Sequence, residues 1–212
     1  MYITIDENHI YRDDKGQRYA SVSSVIKKYK KPFDADVISM AIAKRDNRTQ
    51  ENVLAEWKRK ADVSLLKGNF IHDTLELCLT RPELARKSPI EHEINKIRQI
   101  LPKDHKWTQE RIFADTENKI AGTIDLITSK DGRATIWDFK TNELDKKAYN
   151  NFLKPFDDLE QTKINEYRFQ LSLYKHLVEL KKVKVVGLKL LNIINGDVET
   201  IDLEPLDIAK VF

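Results

Sequence analysis

The most constraining feature of this chain is a pair of short strings joined by a turn signal. Gly122-Thr123-Ile124-Asp125 comes first, and Asp138-Phe139-Lys140-Thr141 follows after a short intervening segment. Between them, Asp131-Gly132 is a dipeptide typical of the tight turn that folds two strands back on each other. The pattern therefore predicts an antiparallel β-hairpin in which the two strings lie on neighbouring strands.

Charged side chains occupy this predicted hairpin in an arrangement that a core would reject. Because side chains alternate along a strand, Asp138 and Lys140 share one face, and Trp137 and Phe139 take the other. An unpaired buried carboxylate is costly, whereas a hard divalent cation needs carboxylate oxygens as ligands. Asp125 and Asp138 are therefore predicted to hold such a cation, with Lys140 orienting or deprotonating a water beside it. The arrangement predicts a metal-dependent phosphodiesterase.

Length and composition favour one globular domain. With 212 residues, 41% of them hydrophobic and 33% charged, the chain can bury one sizeable core but not two. It has no apolar run of membrane-spanning length, and its first residues do not resemble a signal peptide. Cys78 is the only cysteine, which excludes an internal disulfide and a cysteine-ligated cluster. We therefore expect a reducing, intracellular location and no membrane partner.

Basic residues concentrate near the N-terminus. Between Lys27 and Lys60 there are ten Lys and Arg residues against five Asp and Glu, although the whole chain carries a net charge of only +3. Such a stretch can bind a phosphate backbone, but on charge alone a solvated helix face is the commoner explanation. The aromatic residues Tyr29, Phe33 and Trp57 can either stack on unpaired bases or anchor the segment to the core.

Hydrophobic periodicity and turn residues predict an alternation of helices and strands. The predicted elements are a hairpin of 2–5 with 18–22 around a turn at 13–16, a helix capped by Ser21 or Ser23, helical structure over 34–60, helices over 63–79 and 90–100, strands over 108–114, 120–128 and 134–141, a helix over 159–182, and a closing hairpin over 183–203. This order predicts an α/β (α+β) sandwich with a mixed sheet flanked by helices.

Two predicted helices carry polar residues at helical spacing. Gly68, His72 and Glu76 recur every four residues, so they form one row along their helix. Gly68 is predicted to allow close approach to a neighbour, and His72 then projects toward the strands. Gln170 and Tyr174 are a similar pair in the later helix. A lone histidine is more often a surface or core residue, and Tyr174 is equally well explained as core. Spacing alone decides neither case.

Taken in order, these motifs resemble the RecB-like branch of the PD-(D/E)XK nucleases. The strings that carry the resemblance are Gly68-x3-His72-x3-Glu76, Gly122-x2-Asp125, Asp138-Phe139-Lys140-Thr141 and Gln170-x3-Tyr174. Ser21-Val22-Ser23-Ser24-Val25 and Trp57-Lys58 are further similar to the stand-alone mitochondrial genome maintenance exonucleases and their phage and bacterial relatives. The resemblance implies a single nuclease domain with a restriction-endonuclease-like αβββαβ core over 62–212, preceded by an N-terminal hairpin and basic helical arm over 1–61.

The resemblance also implies a role for each motif residue. The ligands that it implies for Mg²⁺ or Mn²⁺ are His72, Asp125, Asp138 and the backbone carbonyl of Phe139. The residues that it implies to contact substrate or support the site are Gln170, Tyr174, Thr141, Glu110 and Glu76. Lys140 would position the attacking water and stabilise charge that develops on the phosphate. The iron–sulfur cluster of some relatives is excluded because Cys78 stands alone.

The expected function is hydrolysis of phosphodiester bonds in DNA, by a stand-alone exonuclease that prefers single-stranded ends. The alternatives are a structure-specific endonuclease of the same fold and a non-catalytic nucleic-acid-binding module. The second alternative is disfavoured because Asp125, Asp138 and Lys140 are all present. No Gly-x4-Gly-Lys-Ser/Thr string occurs, so we expect the protein to act alone or beside a separate helicase or recombinase, in a bacterial or phage-infected cell.

Overall fold

The structure of the chain is a computed structural model that describes residues 2–144, 148 and 150–212. Its helices and strands follow in the order β1 (Ile3–Ile5), β2 (Tyr11–Asp13), β3 (Arg18–Ser21), α1 (Val22–Lys27), α2 (Ala35–Arg45), α3 (Gln50–Thr80), α4 (Pro82–Ala85), α5 (Glu91–Ile100), β4 (Lys106–Asp115), β5 (Ile120–Lys130), β6 (Arg133–Lys140), α6 (Lys163–Glu179), β7 (Lys184–Ile194) and β8 (Asp197–Asp202). A short 3₁₀ turn, Ala209–Val211, lies near the C-terminus. The helix–three strands–helix–strand order confirms the predicted α/β fold class.

The strands form one mixed sheet in the order β1-β2-β3-β5-β6-β7-β8, with β4 paired to the other edge of β5. The β5–β6 and β7–β8 pairs are antiparallel, whereas β3–β5 and β6–β7 are parallel. Two of the three predicted hairpins are confirmed, the one that turns at Asp131-Gly132 and the closing one, which turns at Asn195-Gly196; φ is positive at both residues of each turn.

Helices pack on both faces of the sheet, and β6 divides its side chains between them. Ile136 lies in a cluster with residues of α1 and α6, including Phe169. Trp137 and Phe139 lie in a second cluster with residues of α3 and α5, including Leu75. This alternation confirms the predicted separation of faces, and it leaves Asp138 and Lys140 on the side that faces α6.

The N-terminal prediction is wrong in one respect. Residues 2–5 were expected to pair with 18–22, but β2 lies between them and pairs with both neighbours. β2 is only three residues long and carries Arg12 and Asp13, so neither its length nor its composition signals a strand. Its Tyr11 is buried, and the hydroxyl of Tyr11 contacts Thr123 Oγ1 at 3.0 Å. The meander therefore packs against the strand that carries Asp125. The predicted Ser21 cap is confirmed, since its side chain accepts from Ser24 N–H.

Several helix boundaries also differ from the prediction. A break was expected between 60 and 63, but α3 is one continuous helix of 31 residues that begins at a Thr49 cap. Nothing at positions 61–62 interrupts it, because Ala and Asp are both tolerated in a helix interior. α6 begins at Lys163 rather than near 159, where Thr162 caps it, and the expected loop after Arg81 contains α4. Within the described ranges, no helix is long and apolar enough to cross a membrane.

Candidate active site

The candidate site lies where the sheet divides. Pairing between β5 and β6 ends at Leu126 and Trp137. Beyond that point β6 continues beside β7, while the start of β5 pairs with β3 at Ile120 and Ala121. Asp125 and Asp138 are the first residues after the strands separate, so the opening of the sheet leaves space between two carboxylates that the hairpin has brought together.

Three elements contribute a cluster of groups that can hold a metal ion. His72 comes from α3, Glu110 from β4 and Asp125 from β5, and one ligand atom of each lies within 4.8 Å of the other two. Glu110 falls opposite Asp125, between the paired residues Gln109–Leu126 and Arg111–Ile124. Its backbone has a φ of +44°, which is unusual for a residue with a side chain and distinguishes it from its neighbours in the strand.

The backbone of Phe139 fixes two of these groups. Its N–H donates to Asp125 Oδ2 at 2.8 Å, and its carbonyl oxygen is 3.0 Å from His72 Nε2. Because a carbonyl only accepts, Nε2 carries the proton in this contact, and Nδ1 faces Asp125 Oδ2 at 3.6 Å. The carbonyl of Phe139 and the imidazole of His72, both predicted as ligands, therefore contact each other here.

Asp138 and Lys140 form a buried ion pair beside the cluster. Asp138 is 1% exposed, and its Oδ2 contacts Lys140 Nζ. Its Oδ1 accepts a hydrogen bond from Gln170 Nε2 at 3.2 Å, and the same Nε2 donates to the hydroxyl of Tyr174 at 3.1 Å. Lys140 Nζ also lies 4.8 Å from the centroid of the Tyr167 ring. The α6 side chains thus hold the carboxylate and cover the ammonium.

Electrostatics in the site are dominated by burial and by crowded carboxylates. Burial raises the pKa of Asp138, and the nearby Asp125 adds to this effect against the opposing charge of Lys140. Burial by itself would lower the pKa of Lys140, but Asp138 and Asp125 outweigh it, so the pKa of Lys140 is raised and the side chain is a cation.

The carboxylate of Glu110 shows the strongest effect of this crowding. Although Glu110 as a residue is exposed, burial of its carboxyl group and repulsion from Asp125, Glu76 and Asp138 raise its pKa to about 8. A divalent cation would relieve that repulsion. The donors, which are carboxylate oxygens and one imidazole, are those that Mg²⁺ and Mn²⁺ accept. The residues present therefore fit the Mg²⁺ or Mn²⁺ that the resemblance implies.

The structure brings most of the predicted site residues together. The centre of the site consists of Asp125, Asp138, Lys140, His72 and Glu110. Phe139 and Gln170 are in direct contact with residues of this centre. Tyr174 is largely core, as its alternative interpretation held, but its hydroxyl reaches Gln170. Glu76 is exposed on α3 and acts on Glu110 through charge. Thr141 is half-buried and lines an adjoining groove of about 710 Å³ together with Arg59 and Lys67.

Tyr167 is the residue that sequence reasoning missed. Its ring covers Lys140, and its hydroxyl donates to Asn142 Oδ1 at 2.6 Å. The signal was its spacing, since Tyr167 lies one helical turn before Gln170 on α6. A tyrosine on the motif side of that helix faces the same strand.

Glycine is required at Gly122 rather than at Gly68. A Cβ on Gly68 would lie 3.7 Å from Thr141 Oγ1, which is an ordinary contact, so the predicted need for close approach there is wrong. A Cβ on Gly122 would lie 2.6 Å from Tyr174 Cε1 and 3.0 Å from Val22 Cγ2. The ring of Tyr174 occupies the space that a side chain at 122 would need.

We expect Gly122→Ala to lower the free energy of unfolding by about 1–3 kcal/mol, because the added methyl group overpacks the core against Tyr174. Gly68→Ala is the matched control, and there we expect a gain of roughly 0.5–1 kcal/mol from the helix propensity of alanine. Urea unfolding of both variants measures the difference. Equal stability of Gly122→Ala and the unaltered protein would contradict the packing described for Tyr174.

The family described as the PD-(D/E)XK nuclease superfamily matches residues 41–209, a range that contains every site residue described above. Eighteen chains of solved structures match. One is the crystal structure of SSO0001, which is 15% identical, with a TM-score of 0.40 and coverage of 90% of this chain and 69% of that chain. No curated protein matches the chain significantly.

Proposed function

Because the chain belongs to the PD-(D/E)XK nuclease superfamily, we propose that it is a metal-dependent deoxyribonuclease that hydrolyses phosphodiester bonds. The observation that carries the proposal is the juxtaposition of the His72–Glu110–Asp125 cluster with the buried Asp138–Lys140 pair. A structural ion pair alone would not need three further ligand groups beside it. A binding module would not need a buried lysine held against a carboxylate.

The chain's own residues prepare the site for this reaction. His72, Glu110, Asp125 and Asp138 would hold Mg²⁺ or Mn²⁺, which when bound neutralises phosphate charge and lowers the pKa of a coordinated water. Asp125 is oriented by the N–H of Phe139, and Asp138 by the amide of Gln170, so one oxygen of each carboxylate is already held by a hydrogen bond. Lys140 supplies a fixed positive charge for the phosphate and a hydrogen-bond donor to the attacking water.

We propose further that the protein is a stand-alone exonuclease of the RecB-like branch that prefers single-stranded ends. The support for this finer assignment is the motif order from Gly68 to Tyr174, which resembles that branch. Residues 1–212 would act as one nuclease domain, with 1–61 as its arm and 62–212 as its catalytic core. The protein would act alone or beside a separate helicase or recombinase that supplies single-stranded substrate.

The test is incubation with 5′-labelled and 3′-labelled DNA in Mg²⁺, Mn²⁺ or EDTA. The substrates would be linear single strands, blunt duplexes, circular single strands and branched duplexes. We expect metal-dependent degradation of linear single strands, with the two labels giving the polarity. Cutting of circular or branched DNA would instead support the endonuclease alternative. Binding without cutting of any substrate in either metal would contradict the nuclease and support a non-catalytic module.

A further inference from the structure

A second groove leads to the site from the basic N-terminal segment. It has a volume of about 500 Å³ and lies between the α1–α2 connection and the first half of α6. Lys27, Lys31 and Phe33 of the N-terminal segment line it, together with Tyr167 and Gln170 of α6. Since Gln170 donates to Asp138 and Tyr167 covers Lys140, the groove adjoins the candidate active site and shares these two side chains with it.

The charge along this groove suits a phosphate backbone. Lys27 and Lys31 are exposed, and Lys30 is held at its wall by an ion pair of 2.7 Å with Glu166. Glu166 also contacts Lys163 at 3.1 Å, so the single acidic residue among the described side chains that line the groove is shared between two cations. The groove therefore keeps a positive balance along its length.

The connection that forms its outer wall is held in place. Lys31 N–H donates to Gln161 Oε1 at 2.8 Å, and Gln161 Nε2 returns a bond of 3.4 Å to the carbonyl of Lys31. Leu153 N–H donates to the carbonyl of Tyr29 at 2.6 Å. Pro32 follows and fixes its own φ. These contacts position the next residue, Phe33, in front of the groove.

Phe33 is exposed in a way that packing does not explain. It is 65% exposed, and its ring centroid lies 5.6 Å from that of Trp57 on α3. Tyr29, the third aromatic residue of the segment, instead packs against Phe156 and Phe169 in the core. The sequence left two roles open for these aromatic residues, stacking on bases and anchoring the segment to the core, and the structure separates them. Tyr29 anchors the segment, and Phe33 presents an aromatic face to solvent beside a basic groove.

We propose that this groove binds single-stranded DNA on its way to the active site, with Phe33, supported by Trp57, stacking on an unpaired base. The proposal rests on the proposed function. It adds the path by which the substrate strand reaches the site and the contact that selects a single strand. An aromatic face can stack only on a base that is not covered by its neighbours in a duplex, so Phe33 favours single strands. Lys27 and Lys31 contact the backbone of the same strand.

The test is binding of a fluorescein-labelled oligothymidylate, measured by anisotropy in EDTA so that no cleavage occurs. We expect Phe33→Ala to weaken binding roughly five- to a hundredfold, since one base–aromatic stack is lost. Phe33→Trp retains a stacking face and should restore most of the affinity, whereas Phe33→Leu retains only apolar bulk and should not. Tyr2→Ala, which removes an exposed aromatic residue just before β1, is the matched control. Binding of a blunt duplex should change little in every variant.

The outcomes separate this inference from the proposed function. Unchanged binding of the oligothymidylate by Phe33→Ala, or rescue by leucine as complete as by tryptophan, would overturn the stacking contact even if the unaltered protein cuts DNA. An equal loss of single-strand and duplex binding would do the same. Conversely, Phe33-dependent binding by a protein that cuts nothing in Mg²⁺ or Mn²⁺ would support the groove and contradict the nuclease.

Discussion

Replacing Lys140 with methionine is expected to lower the rate of metal-dependent DNA cleavage by about 10²–10⁴-fold, the usual effect of removing a charge-stabilising or proton-transferring group. Methionine fills a similar volume but supplies neither the positive charge nor the donor. Single-turnover cleavage of a labelled single strand measures the effect. Binding of the same strand in EDTA should fall much less, because the grooves that flank the site remain.

The stability of this variant gives a second, independent measurement. Removing one partner of a buried ion pair costs about 3–5 kcal/mol when the other remains charged. Asp138 has a pKa already raised by burial, so it can take up a proton instead. A carboxyl group whose pKa is raised in the folded state stabilises that state fully below its unfolded pKa and loses this contribution as pH rises. The loss in free energy of unfolding caused by Lys140→Met should therefore be small near pH 4 and grow toward neutral pH.

Lys189→Met is the matched control for Lys140→Met. Lys189 lies on the neighbouring strand β7, opposite Trp137, and it too is paired with an aspartate, Asp202. Asp202 is exposed, so this pair contributes little to stability. Cleavage by Lys189→Met should be unchanged. If Lys140→Met cleaved as fast as the control, the assignment of Lys140 to the reaction would be wrong.

Asp125→Asn is expected to abolish both cleavage and metal binding while preserving the fold. The amide oxygen of asparagine can still accept from Phe139 N–H, so the structural hydrogen bond survives. The substitution does remove the negatively charged ligand that Asp125 contributes to its cluster with His72 and Glu110. We expect the cleavage rate to fall by about 10³-fold or more, comparable with loss of a main electrostatic contribution. We also expect Mn²⁺ to raise the Tm of the unaltered protein but not that of the variant.

The pH dependence of metal affinity tests the same cluster. Because Glu110 has a pKa raised to about 8, it must lose its proton before it can act as a ligand. Mn²⁺ affinity should therefore increase as pH rises toward 8, and calorimetry in buffers of different ionisation enthalpy should detect proton release on binding.

Asp131→Asn, in the turn of the same hairpin, is the control for Asp125→Asn and should leave Mn²⁺ binding intact. A Tm shift by Mn²⁺ in Asp125→Asn equal to that of the control would contradict the assigned site.

Local sequence signals predicted much of this molecule. The Asp131-Gly132 and Asn195-Gly196 turns fixed two hairpins, because a turn with positive φ at both residues depends on those residue types alone. Alternation along β6 correctly separated Asp138 from Phe139. The missed strand β2 and the continuous α3 show where such signals end. A three-residue strand owes its existence to pairing on both sides, and helix continuity depends on the absence of an interruption.

The sequence by itself determined the site's composition and the strand pair that carries Asp125, Asp138 and Lys140. The family resemblance pointed to His72, Glu110 and Gln170, but only the tertiary structure decided how these distant groups contact the pair and that Tyr167 joins them. Glu110 enters the cluster through the register of β4 on β5, and Tyr167 through the rotation of α6 over β6. The physical reason is the distance along the chain between the residues that interact. Turn type and side-chain alternation follow from neighbouring residues, whereas the requirement for glycine at 122 and the raised pKa of Glu110 arise from groups far away in the chain.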